Sequence, residues 1–152
     1  AISIGLLPTL VHSTWALDTE ETTHPGCLER AATWANVHPT LLRAIAWVES
    51  RGNHRALNWN RNGTYDIGLM QVNSWWYERG LRSWWNLLGQ PCVNVAAGAW
   101  VLKQCVEEYG YAWNAVGCYH AGQGWDRGQK RTIGQRYIRR VQETITSHIR
   151  SN

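Results

Sequence analysis

A run of apolar residues at helical spacing ends in a carboxylate, and this feature limits the folds open to the chain. Pro39 is a good first residue for a helix in which Leu42, Ile45 and Glu49 share one face. Gly52 then provides a stop signal. Burial of the apolar face against a core would therefore place Glu49 at the border between core and solvent.

A second carboxylate, Asp66, follows seventeen residues after Glu49, and no other acid lies between positions 45 and 73. It comes just after Asn62-Gly63, a strong hairpin-turn signal; with a two-residue turn, Trp59 would face the neighbourhood of Asp66. Its polar neighbours can donate hydrogen bonds to an ionised carboxylate, and they are Asn58, Asn60, Asn62, Thr64 and Gln71. One carboxyl in an apolar setting and one in a polar setting is the pattern used to cleave glycosidic bonds.

Glu49 is the predicted acid of this pair. A free Glu has a pKa of about 4.3, so it must be helped to keep its proton near neutral pH. An apolar surrounding, a position near a helix C-terminus and shielding by Trp47 or the Trp-rich loops would all raise the pKa of Glu49.

Two structural alternatives compete with these roles. Glu49 could instead be a last-turn residue paired with Arg51 or Arg55, and Asp66 could form an Asx turn entering Ile67-Gly68. On the residues alone these alternatives stay open.

The chain has 152 residues, which suits one domain with a core of its own. Eleven Trp and six Tyr with no Phe are typical of a wet groove for sugars or bases, although part of them must serve the core. We predict a mainly α, lysozyme-like α+β fold with one small β-hairpin that forms a glycan-binding groove. The predicted helices are 27–36, a second one that begins at Pro39 and stops before Gly52, 93–109, 112–119 and 135–149, with irregular chain at 74–89 and a basic glycine-rich loop at 122–134.

The N-terminal residues and the cysteines indicate an exported protein. Residues 1–16 resemble the remnant of a signal peptide, 17–26 a flexible leader, and 27–152 the folded domain. Four cysteines fit two disulfides in an oxidising compartment, and of three possible connectivities we favour Cys27–Cys92 with Cys105–Cys118. No stretch has the roughly 20 apolar residues of a membrane span. Neither a zinc motif nor a convincing calcium loop is present, so we expect no metal and no cofactor.

The net charge is +4, and seven of the fifteen basic residues lie between Arg127 and Arg150. This distribution would suit an anionic polymer or surface, although a solvated basic helix face is the more ordinary explanation. A nucleic-acid binder is a remote alternative that export and disulfides argue against, so no nucleic acid is expected. The protein is expected to act as a monomer.

Four segments together resemble the successive motifs of the soluble lytic transglycosylases. They are Glu49-Ser50, Gly68 to Gln71, Ala96 to Trp100 and Ala115 to Gly122, in the order of that family. The likeness covers about Cys27 to Val141. It is greatest to the small exported members that accompany type III secretion, pilus and conjugation machines.

This resemblance implies a periplasmic enzyme that cleaves the MurNAc–GlcNAc β-1,4 bond of peptidoglycan. Such enzymes use one Glu as acid and then base, while the C6 hydroxyl of the sugar attacks to give a 1,6-anhydro product. Glu49 matches the acid. Residues implied to bind substrate or support the acid are Ser50, Met70, Gln71, Asn73, Tyr119 and Tyr137. A rod or scaffold component of a secretion apparatus is a candidate partner besides the glycan strands.

The sequence departs from the family at two places. Tyr119-His120 stands where the family usually has Tyr-Asn, which predicts a groove-wall role for His120. The second departure is the segment from Asn62 to Ser74, which includes Asp66. This segment is similar to the catalytic strand region of hen-type lysozymes. A hydrolytic muramidase that uses Glu49 and Asp66 is therefore an alternative, and a noncatalytic glycan-binding assembly module is a second one.

Overall fold

A computed structural model of the protein describes residues 26–151, without the side chains of 149 and 151. The predicted signal remnant and all but the last residue of the predicted leader lie outside the described residues. Within this range the α-helices are Cys27–Ala35 (α1), Pro39–Ser50 (α2), Pro91–Tyr109 (α3), Trp113–Ala121 (α4) and Gly128–Ser151 (α5). The strands are Leu57–Trp59 (β1), Tyr65–Ile67 (β2) and Val72–Asn73 (β3).

The helices pack around a common core in which α3 contacts α1 and α4, and α5 contacts α2 and α4. The α2 helix begins as predicted: Pro39 is its first residue, and Nδ1 of His38 accepts a hydrogen bond from the Thr40 N–H at 3.1 Å. Arg51 ends it in the left-handed conformation, with φ of 55°. Leu42 and Ile45 are completely buried, so the apolar face of α2 forms the centre of the core.

The three strands form an antiparallel sheet in the order β1-β2-β3, and Asp66 on β2 lies between Asn58 and Asn73. The two-residue turn considered from the sequence is wrong. The Asn60 N–H donates to the Thr64 carbonyl at 2.8 Å, which closes a longer loop over residues 60–64. Trp59 therefore lies opposite Tyr65, with ring centroids 4.8 Å apart.

One buried amide attaches this sheet to the helices. Asn94 of α3 is 1% exposed; its Oδ1 accepts from the Met70 N–H at 2.8 Å, and its Nδ2 donates to the Ile67 carbonyl at 2.9 Å. Gly68 lies directly over this amide with φ of +75°, where an added Cβ would approach Asn94 Nδ2 to 2.4 Å. The glycine is thus required by both conformation and space.

Two segments predicted to be irregular are partly helical. Residues 74–89 contain two 3₁₀ helices, Ser74–Arg79 and Arg82–Leu87. The predicted loop at 122–134 is shorter, because α5 already begins at Gly128. Gly134 lies inside α5 and faces Trp125, where a Cβ would be 2.2 Å from the ring. This glycine serves close packing and not a turn, which a sequence pattern does not distinguish.

One of the two predicted disulfides is formed. Cys105 and Cys118 are bonded and join α3 to α4. The favoured Cys27–Cys92 bond is absent from the structure, where both are free thiols, although Cys92 hydrogen bonds with Cys27. Burial, followed by the contact with Cys92, raises the pKa of Cys27 to about 12.

No helix in the described part of the chain is long and apolar enough to cross a membrane.

Candidate active site

A cavity of about 840 Å³ lies between the sheet and the helices. Its walls come from the end of α2, the sheet with its 60–64 loop, the first 3₁₀ helix, α4 and the start of α5. Both predicted carboxylates line it. The cavity therefore brings Glu49 and Asp66 together in one groove, as the sequence predicted.

A second cleft, of about 800 Å³, is lined by residues of α2, α4 and α5 such as Leu41, Trp113 and Ile145. Of the residues that the structure describes, those lining this cleft include no carboxylate. The two carboxylates predicted to act together therefore line the first cavity and not this cleft.

Glu49 is held at the cavity wall with its side chain only 12% exposed. The Tyr137 hydroxyl donates a hydrogen bond to Glu49 Oε1 at 2.6 Å. Burial raises the pKa of Glu49 to about 7, while the Tyr137 hydrogen bond and the Arg140 charge oppose the rise and the Asp66 charge adds to it. Glu49 is accordingly protonated in a large fraction of molecules near neutral pH and ready to donate.

Asp66 has a different, polar environment. Its Oδ2 accepts from Asn60 Nδ2 at 2.9 Å and its Oδ1 from Asn73 Nδ2 at 2.7 Å. Both amides also contact the Thr64 hydroxyl, which itself donates to Asn62. The two acids thus occupy the unlike settings that the sequence indicated.

Neither structural alternative describes these two residues. Glu49 bonds to Tyr137, whereas Arg51 lies over the ring of Trp47, 5.4 Å from its centroid. Asp66 lies within β2 and does not form an Asx turn. Tyr137 of α5 contacts Glu49 directly, and Trp75 and Trp76 of the Trp-rich segment line the same cavity.

Two tyrosines lie near Glu49: Tyr137 is buried in the core and Tyr119 is half-buried. Burial raises the pKa of Tyr137 well above its usual range, with the Glu49 charge adding to the effect, so Tyr137 keeps its proton and donates. The pKa of Tyr119 is raised in the same way, and its hydroxyl donates to the Met70 carbonyl at 2.7 Å. Tyr119 lines the cavity and ties α4 to the sheet side of the groove.

The remaining predicted substrate-binding residues divide into two groups. Gln71 and Asn73 line the cavity, and Asn73 also caps the first 3₁₀ helix by accepting from the Trp75 N–H at 2.8 Å. Met70 is completely buried and packs in the core, and Ser50 bonds to the Ala46 carbonyl of its own helix. Ser50 and Met70 therefore support the site from behind and are not brought to the cavity wall.

Several groove residues were not among the predicted site residues. Trp75 and Trp76 line the cavity, and the guanidinium of Arg79 lies 3.9 Å from the ring centroid of Trp75. Arg140 of α5 donates to the Val48 carbonyl at 3.3 Å, beside Glu49. The Trp-Trp pair directly after Asn73-Ser74 was a usable signal for the first two. Arg140 lies 92 residues from Val48, and nothing local indicated it.

His120 lies in the cavity wall, as predicted. Its ring stacks on Tyr137 with centroids 4.3 Å apart and planes within 1°, and its Nδ1 is 3.9 Å from Glu49 Oε1. Although 38% of the side chain is exposed, burial of the imidazole in the cavity wall lowers the pKa of His120. The Arg140 charge also lowers it, and the Asp66 charge opposes the change.

Comparison with known proteins gives one family and a consistent set of relatives. Residues 26–142 match the family described as Transglycosylase SLT domain. Invasion protein IagB of Salmonella typhimurium is 38% identical over 120 residues, which are 77% of this chain and 73% of that protein. Protein IpgF of Shigella flexneri is 34% identical over 126 residues, which are 78% of this chain and 83% of that protein.

Among solved structures, the chain is similar to an inactive mutant of the lytic transglycosylase Slt from Pseudomonas aeruginosa. The TM-score is 0.65 at 22% identity, and the likeness covers 82% of this chain and 23% of that one. At this identity the similarity establishes the fold. The predicted mainly α, lysozyme-like fold with a small sheet is thereby confirmed.

Proposed function

The chain belongs to the transglycosylase SLT domain family and is a peptidoglycan lytic transglycosylase, and from that premise we propose that Glu49 is its catalytic acid and base. The observation that carries this assignment is a buried carboxyl group with a pKa of about 7 in the wall of a sugar-sized groove. A general acid works best when its pKa lies near the working pH.

The proposed reaction needs only this one proton carrier. Glu49 donates its proton to the glycosidic oxygen, the bond from that oxygen to C1 of MurNAc breaks, and GlcNAc leaves with the proton. The resulting Glu49 carboxylate then takes the proton of the MurNAc C6 hydroxyl as its oxygen bonds to C1. The product is a 1,6-anhydro sugar, water is not consumed, and Glu49 returns to its starting state.

Asp66 is proposed to act as an electrostatic helper. The transition state of glycosidic cleavage has oxocarbenium character and carries positive charge. A carboxylate held by Asn60 and Asn73 in the same groove stabilises that charge. Gln71, Asn73, Tyr119 and the Trp75 ring are proposed to contact the glycan.

The presence of Asp66 also supports a second candidate, hydrolysis in the manner of a muramidase. In that reaction Asp66 would stabilise or capture C1, and water would complete the cleavage. Mass spectrometry of muropeptides released from purified cell walls separates the two reactions. Our proposal requires ends lighter by one water than a reducing sugar; reducing ends alone would establish the hydrolytic candidate.

Substitution of the two carboxylates tests the assignment. We expect Glu49→Gln to lower wall lysis by about 100-fold or more, because the proton donor is lost while the Tyr137 bond can remain. For Asp66→Asn we expect a loss of about tenfold. The measurement is the initial rate of clearing of a peptidoglycan suspension. Glu143→Gln, an exposed change on α5, is the matched control.

Full lysis by the Glu49→Gln protein would remove the assignment of Glu49. The same experiment addresses the noncatalytic alternative, a glycan-binding assembly module. In that case both the original protein and Glu49→Gln would bind peptidoglycan in a sedimentation assay, and neither would clear it.

We further propose that the protein is exported to the periplasm and opens the wall locally for a secretion apparatus. The Cys105–Cys118 disulfide supports export, since such bonds persist in oxidising compartments. The similarity to a relative named as an invasion protein supports a role alongside a secretion apparatus. Fractionation of cells that express the full-length protein checks the location: recovery only in the cytoplasm would contradict it.

The exposed basic residues of α5 are a candidate contact for a rod or scaffold component of that apparatus. Arg131, Arg136 and Arg139 are exposed on this helix and would favour an acidic partner surface. Reversal of their charges should reduce recovery of apparatus components in a pull-down. Unchanged recovery would exclude this surface.

A further inference from the structure

His120 is a histidine in direct contact with the group that positions the acid. Its ring lies flat on Tyr137, centroid to centroid at 4.3 Å, and the Tyr137 hydroxyl is the hydrogen-bond donor of Glu49 at 2.6 Å. The stack covers one face of the tyrosine ring on the cavity side. The stacked imidazole therefore restricts the position of the Tyr137 ring, and with it the hydroxyl that donates a hydrogen bond to Glu49.

We propose that His120 is a positioning residue for Glu49 that acts through Tyr137, and that it supports cleavage only as the neutral imidazole. The inference rests on the proposed function of the site, and it adds a residue that limits activity on the acid side of neutrality.

The charge argument starts from what surrounds the imidazole. Titratable or charged side chains face it from α2, β2 and α5, and Tyr119 lies beside it on α4; the facing groups are Glu49, Asp66, Lys130, Tyr137 and Arg140. Below pH 7 Glu49 increasingly holds its proton, so protonation of His120 does not create an ion pair with Glu49. Asp66 is the anion that a charged His120 would meet.

A charged His120 would oppose the reaction for two physical reasons. The transition state develops positive charge in the same groove, and a second cation there raises its energy. The imidazolium would also partly neutralise the negative charge of Asp66, which is proposed to stabilise the positive charge on the sugar. Burial and the Arg140 charge, which lower the pKa of His120, keep the imidazole neutral over a wider pH range.

Three substitutions separate stacking from charge. His120→Phe keeps a flat ring on Tyr137 and cannot be protonated. His120→Ala removes the ring, and His120→Asn keeps a nitrogen near the position of Nδ1 without a ring. The matched control is His38→Asn, which removes an imidazole beside the other cleft and keeps a good helix-capping side chain.

The first readout is the rate of wall lysis between about pH 4 and about pH 9, with all proteins on the same peptidoglycan. In His120→Phe we expect the acid-side midpoint to fall by at least about one pH unit relative to the original protein. Near neutral pH we expect His120→Ala and His120→Asn to be at least about fivefold slower than His120→Phe. His38→Asn should keep the original profile.

The second readout does not depend on activity. The pKa of Glu49 is followed by NMR of ¹³C-labelled glutamate carboxyl groups, assigned with Glu49→Gln. Since the Tyr137 bond lowers the pKa of Glu49, we expect this pKa to rise in His120→Ala and to stay near the original value in His120→Phe.

An unchanged acid-side midpoint in His120→Phe, or equal pKa values of Glu49 in the Ala and Phe variants, would overturn the proposal. Failure of the proposed function gives a different pattern. In that case the original protein would not clear peptidoglycan at any pH, and the NMR titration would still decide whether His120 positions Tyr137.

Discussion

Glu49 has a pKa of about 7 because burial disfavours its charge more than its neighbours favour it. The hydrogen bond from Tyr137 and the charge of Arg140 stabilise the carboxylate, and both come from α5. The sequence indicated the acid and its apolar setting. The Tyr137 bond joins residues 88 positions apart, so its existence depends on how α5 packs against α2 and is invisible to local patterns.

The raised pKa of Glu49 has a consequence for stability. Between about pH 4.5 and about pH 7 the unfolded chain loses the Glu49 proton while the folded protein keeps it, so the free energy of unfolding falls as the pH rises. The full difference corresponds to about 3 kcal/mol. We expect Glu49→Gln to be about 1–3 kcal/mol more stable than the original protein above neutral pH.

Urea unfolding of both proteins across this pH range is the measurement. At acid pH, where Glu49 is protonated in both states, the two proteins should differ little. Glu143→Gln changes an exposed carboxyl and should not alter the pH dependence. A constant stability difference at every pH would contradict burial as the cause of the raised pKa.

Helix α3 positions the sheet through close contacts that only particular residues permit. Asn94 holds the backbone around Met70, and Gly98 lies against the Met70 side chain, where an added Cβ would be 2.5 Å from the Met70 Cβ. The existence and type of the helices followed from periodicity. The start of α5 did not, because Gly134 reads as a loop residue until its contact with Trp125 is known.

Gly98→Ala tests this contact. Alanine is favoured over glycine in a helix by about 1 kcal/mol, but the clash with Met70 should cost more and leave the protein about 1–2 kcal/mol less stable. Met70 also accepts the Tyr119 hydrogen bond, so lysis should decline as well. Denaturant unfolding and the lysis rate are measured together.

Gly89→Ala is the matched control, because no atom lies within 4 Å of the added Cβ and the backbone is not left-handed. Its stability should change by less than about 0.5 kcal/mol. If Gly98→Ala were as stable as Gly89→Ala, the close contact between α3 and Met70 would be refuted.

At the scale of the whole molecule, the groove has helices on one side and the small sheet on the other. Glu49, Tyr119, His120 and Tyr137 come from helices, whereas Asp66 comes from the sheet. The sequence predicted both parts and the two acids that meet between them. The Cys105–Cys118 bond was predicted, whereas the state of Cys27 and Cys92 depends on how α1 packs against α3 and not on their spacing along the chain.

The Cys105–Cys118 disulfide links α3 to α4 and closes a short loop of 13 residues' separation. A disulfide that closes a loop of this size stabilises the folded protein by about 3 kcal/mol, because it restricts the unfolded chain. We therefore expect reduction to lower the free energy of unfolding by about 2–3 kcal/mol, measured as the urea midpoint with and without a thiol reductant. A protein carrying Cys27→Ser and Cys92→Ser should respond equally, and an unchanged midpoint on reduction would contradict the prediction.

The sheet is attached to the helices by the Asn94 amide and the hydroxyl of Tyr119, and Leu69, Met70 and Val72 at its inner edge are buried in the common core. Warming should therefore release the small β layer only together with the helices. Departure of Asp66 from the sugar site and loss of the circular dichroism signal would then coincide, so thermal inactivation and thermal melting should have the same midpoint.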